Sequence, residues 1–152
     1  MPIKLAEVHV QQSTRVSCVA ACVCMVRRRR GERIDEQAIL EDWGSGGPFA
    51  LTLHARDLQD PDYPAECIDP LARSSRGLLR SVLRDGRWVI ISIVPLPHPN
   101  APHAIVLIHL NEDDQFIYLD PGEPLHVQPC AFSEDELVAQ WTGELIICLP
   151  LE

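Results

Sequence analysis

The hydrophobic rhythm of the chain changes about halfway along. In the first half apolar positions recur at helical spacing. Val19, Cys22, Val23 and Val26 lie three or four apart and predict a helix from about Cys18 into the arginine run 27–30. Ser17 is placed to cap it, and Gly31 is placed to stop it. The residues before it, 1–10, read as an extended opening segment. Asp35 can cap a second short helix, DEQAILEDW, which ends at the glycine-rich GSGG. A third helix is predicted over 51–58 and a fourth over 75–84, the latter with Leu78, Leu79, Val82 and Leu83 on one face and Gly86 after its end. DPDYP (60–64) reads as a loop.

From residue 88 onward the period shortens. WVIISIV (88–94) and HAIVLIHL (103–110) are runs rich in β-branched residues and predict buried strands. The polar turn NEDD joins the second of these to QFIYLD (115–120), which Pro121 and Gly122 end. A last helix (133–141), capped by Ser133, precedes a last strand, ELIICL (144–149). Helices first and antiparallel strands after predict an α+β domain, and 152 residues fit one domain spanning 1–152.

Composition narrows the partners. The formal net charge is −9, from 22 acidic and 13 basic residues. Such a surface repels phosphate backbones and anionic lipid, so neither nucleic acid nor a membrane is an expected partner. Arg27, Arg28, Arg29 and Arg30 break the acidic trend. They read either as a binding patch or as the positive last turn of a helix, with the second reading favoured. The opening residues do not read as a secretory signal, and the uncharged runs are shorter than the ~20 residues that span a bilayer. A cytoplasmic setting with mostly reduced thiols is therefore expected for the six cysteines, at 18, 22, 24, 67, 130 and 148.

The candidate chemistry lies where the two halves would meet. A cysteine opening a helix faces unpaired backbone N–H groups and the positive end of the dipole, and both favour the thiolate. Gln12, six residues before Cys18, could supply an amide donor to an oxyanion. Across the predicted hairpin, Leu110 near Gln115 sets Ile105 opposite Asp120. His103 is then one same-face step from that carboxylate. A carboxylate there can fix the imidazole tautomer and stabilise its charged form. His109 lies near the turn, about 20 Å along the strand from His103, and cannot share Asp120. His98 sits in a proline-rich loop, and His9, His54 and His126 have no strong context. Cys22, Cys24, Cys67, Cys130 and Cys148 read as packing residues.

At these residues the chain resembles the papain-like bacterial cysteine peptidases of the bacteriocin-processing, double-glycine-leader type. The resemblance is carried by QSTRVSCVAACVCMV (12–26), HAIVLI (103–108) and DPGEP (120–124). It extends to GRWVIISIV (86–94) and FSEDELVAQWTGELIICL (132–149). It implies a papain-like fold with N-terminal helices on a C-terminal antiparallel sheet. It also implies Cys18 as nucleophile, His103 as base, Asp120 as its orienting group and Gln12 as oxyanion donor. Family members commonly carry aspartate before and glycine after the cysteine, where this chain has Ser17 and Val19. No nucleotide-binding GxxxxGK[ST] occurs, so a free-standing peptidase without metal or organic cofactor is expected, acting on a peptide or protein substrate.

Three other readings use the same residues. A silent peptide-binding module would keep the groove without turnover. A thiol acyltransferase or transglutaminase-like enzyme would pass the acyl group to an acceptor other than water. A zinc site on Cys18, Cys22 and Cys24 lacks a second close ligand pair. The loop 95–102 and the glycine-rich 44–47 are the expected groove walls.

Overall fold

The computed structural model describes residues 4–14, 16–44, 51–63, 66–94, 102–123 and 129–151. Its elements are α1 (Leu5–Val8), α2 (Cys18–Arg29), α3 (Glu36–Trp43), α4 (Leu51–His54), β1 (Glu66–Cys67), α5 (Arg73–Arg84), β2 (Val89–Ile93), β3 (His103–Leu110), β4 (Phe116–Leu119), β5 (Cys130–Phe132), α6 (Glu134–Gln140) and β6 (Trp141–Ile147). The strands form one antiparallel sheet in the order β1-β6-β2-β3-β4-β5. This is the expected α+β layout, with the long central strands of the sheet coming from the second half of the chain.

Strand alternation divides the core in two. Ile90, Ala104, Val106, Leu119 and Ile146 face the helix α2 and the elements around it. Val89, Ile91, Ile105, Leu107 and Leu145 face the other way, against Leu79, Val82 and Leu83 of α5 and Leu137 of α6. The sheet is thus covered on both faces, not only by the N-terminal helices. Continuous apolar runs are what two buried faces require. The helix α2 is enclosed as well: every residue from Cys18 to Val26 is buried.

Several local expectations are corrected. The opening segment contains the short helix α1. The helix expected over 51–58 breaks after His54 and continues as a 3-10 turn, Arg56–Leu58. Two short strands, β1 and β5, form at the sheet edges where none was expected. The last strand starts at Trp141, directly after α6. Ser133 and Glu136 form a reciprocal capping box at the start of α6, and Asp35 accepts from Ala38 N at 2.9 Å. Ser17 stands at the cap position of α2 but does not cap it. Its hydroxyl accepts from Thr14 N at 3.1 Å and donates to Thr14 O at 3.2 Å.

The arginine run closes the far end of α2 onto the protein's own carbonyls. Arg28 Nε donates to Ile34 O at 2.8 Å, and an Arg29 terminal nitrogen donates to Gly86 O at 2.8 Å. Arg30 reaches Leu149 O at 3.4 Å. Arg29 also stacks over Trp88, 4.5 Å from the ring centre. This supports the helix-terminus reading over a binding patch.

Candidate active site

The β3–β4 hairpin carries two of the expected residues. Its turn is built by Asn111, whose side-chain oxygen accepts from Asp113 N and Gln115 N at 3.0 and 2.8 Å. Leu110 pairs with Phe116, one residue beyond the expected partner, and an irregularity between Leu107 and His109 absorbs the difference. Past it, Leu107 pairs with Tyr118 and Val106 with Leu119. Continuing this register sets Ile105 opposite Asp120, as the sequence predicts. His103 Nε2 and Asp120 Oδ1 lie 2.6 Å apart, with both side chains 18% exposed. His109 is near the turn, opposite Ile117, away from this pair.

The head of α2 packs against the mouth of the hairpin and brings Cys18 within hydrogen-bonding reach of His103. An ionised carboxylate only accepts, so Nε2 carries the proton toward Asp120. Nδ1 is left for the sulfur. Ser17 does not cap the helix. The Val19 N–H of its first turn and the Ala104 N–H both act on the Cys18 sulfur.

The electrostatics follow from these contacts. Burial raises the Cys18 thiol, but the hydrogen bond to His103, the Ala104 and Val19 N–H groups and the imidazolium charge together bring it below the ordinary thiol value. Burial lowers His103, but hydrogen bonds and negative charge from Asp120 and Cys18 raise it to about 9. The pair therefore favours thiolate and imidazolium over two neutral groups. The other enclosed thiols go the opposite way. Burial pushes Cys22 and Cys24 up and Cys148 up to about 12. Cys24 donates to Ile34 O at 3.2 Å.

Gln12 lies beside the site but is turned partly away from it. Its backbone N–H donates to Pro121 O at 2.7 Å, and its Nε2 donates to Thr14 O at 2.7 Å. Oε1 is buried without a partner among the described residues. One of the two amide protons is committed to Thr14; the other is left over.

Four neighbours escaped the sequence reading. His9 Nε2 bonds Asp120 O at 2.9 Å. Gly122 N donates to Asp120 Oδ1 at 2.8 Å, so that oxygen serves both Gly122 and His103. Ser13 bonds the carboxylate of Glu36 at the start of α3. Only Gly122, adjacent to the Asp-Pro end of a strand, carried a local signal. The rest are contacts between distant segments. The expected groove walls lie outside the described residues, apart from Pro102 and Gly44, and so do His98 and His126.

No protein-family model and no curated protein sequence matches the chain. Seventeen chains of solved structures do. One is a crystal structure of a Bacillus anthracis protein described provisionally as a C39-like peptidase. It superposes with a TM-score of 0.66 at 15% identity, over 96% of each chain. At that identity the likeness is one of fold: this chain has the fold of that C39-like peptidase structure.

Proposed function

We propose that this protein is a thiol hydrolase that cleaves peptide bonds, with Cys18 as nucleophile, His103 as acid and base, and Asp120 as the group that orients His103. The observation that carries the reading is the position of one imidazole between a depressed thiol and a carboxylate. The fold likeness to a C39-like peptidase supports it from a separate direction.

The chemistry follows the geometry. The Cys18 thiolate attacks the peptide carbonyl carbon, and the carbonyl electrons move to oxygen. The second amide proton of Gln12, freed or turned toward the substrate, and a backbone N–H of the uncapped α2 terminus hold that oxyanion. As the C–N bond breaks, imidazolium Nδ1 gives its proton to the leaving amine. This leaves a thioester and neutral His103. Water then attacks the thioester, His103 takes its proton, and Cys18 leaves as thiolate with the acid product.

Incubation with a pool of unrelated peptides, read by mass spectrometry, tests the reading. The parent should produce fragments, and Cys18→Ala should produce none. Equal fragmentation by both would remove Cys18 from the chemistry.

A further inference from the structure

Glu36 is a carboxylate buried to 6% exposure in a place where the reaction has no use for it. Burying such a charge is unfavourable unless hydrogen bonds compensate it. Ser13 supplies them. Its N–H donates to Oε2 at 3.0 Å and to Oε1 at 3.3 Å, and its hydroxyl donates to Oε1 at 2.6 Å. Glu36 is also the first residue of α3, where the helix dipole favours negative charge. Asp35 fixes that helix start independently, and Ile39 anchors α3 in the core.

Ser13 follows Gln12 directly. The Gln12 backbone N–H is tied to Pro121 O, next to Asp120. Gln12 therefore stands between two anchors, one on the strand end that carries Asp120 and one on α3. We infer that the Ser13–Glu36 clamp is a positioning device that holds Gln12 at the distance from Cys18 needed to meet an oxyanion. This rests on the hydrolase reading. Glu36 touches neither the nucleophile nor the base; it acts through the backbone of 12–13. Its effect belongs on steps that develop an oxyanion, not on the thiolate itself.

Two reactions of the whole protein separate these. Alkylation of Cys18 by iodoacetamide develops no oxyanion. Turnover of p-nitrophenyl acetate does. Glu36→Gln should lower kcat for the ester by about tenfold or more while alkylation of Cys18 stays within about twofold of the parent. Ser13→Ala, which keeps the backbone bonds, should give a smaller loss of the same kind, and Ser13→Thr should restore it. In a Gln12→Ala background Glu36→Gln should add no more than about twofold, because the clamp acts through that side chain. Unchanged ester turnover in Glu36→Gln overturns the inference. So does an equal fall of both rates, which marks a purely structural role, and so does a full additional loss in the Gln12→Ala background. Ester turnover by Cys18→Ala equal to the parent's overturns the hydrolase reading instead.

Discussion

A Cβ added at Gly122 would lie 3.2 Å from Asp120 Oδ1, 3.2 Å from His103 Cε1 and 3.3 Å from His103 Nε2. The backbone there is not in the left-handed region, so a substitution is opposed by crowding and not by φ. Gly122→Ala should push the carboxylate off the imidazole and lower peptide turnover several-fold, about 1 kcal/mol in the barrier, with little change in melting temperature. Loss of fold instead of turnover would contradict this. The pH profile is set by the same pair. Activity should rise as pH passes the depressed titration of Cys18 and fall as pH rises through about 9, where His103 loses the proton needed by the leaving amine. Asp120→Asn removes the carboxylate that raises His103, so the upper limb should move to lower pH; an unmoved limb would detach Asp120 from it. At this scale His103 and Asp120 were legible because strand register converts sequence position into contact. His9, Ser13 and Glu36 were not, because their partners come from segments whose docking no local pattern encodes.

Elements whose ends carry their own chemistry were the readable ones. The helices α3 and α6 start where Asp35 and Ser133 predict, since a cap is a contact three residues long. Ser133→Ala should cost about 1 kcal/mol in urea unfolding without changing peptide turnover. The strands β1 and β5, two and three residues long, offer too few positions for a period to register. Gly143 shows how one of them is fixed. It has φ 101°, and a Cβ on it would meet Ile68 O at 2.0 Å, where Ile68 N donates to Gly143 O. Gly143→Ala should cost about 2 kcal/mol or more, by backbone strain and by prying β1 from β6. A neutral effect would show that this edge pairing is not rigid. The α2 cap was misread for a specific reason. Ser17 has the residue type of a cap, but Thr14 offers its hydroxyl a closer partner.

For the whole molecule, the sheet works as a partition. Ile90 and Ile91 are neighbours in sequence, both fully buried, and belong to opposite cores. Truncating either to Ala should cost about 2–5 kcal/mol, read by chemical unfolding. The run 88–94, apolar but for the buried Ser92, marked a buried strand; which helices cover the second face of the sheet was not readable, because α5 lies between β1 and β2 and α6 between β5 and β6. Among the described residues no helix is long and apolar enough to cross a membrane. The meeting of α2 with the mouth of the hairpin is likewise a property of the entire fold, and the proposed chemistry exists only through it.

That meeting is tested most directly by the rate of Cys18 alkylation by iodoacetamide across pH, mapped by mass spectrometry, in the parent and in His103→Ala. In the parent Cys18, though only 9% exposed, should already react as a thiolate below the ordinary thiol range. In His103→Ala its titration should move upward, since burial then acts without the imidazole. Superimposable profiles in the two proteins would mean that sulfur and imidazole do not meet.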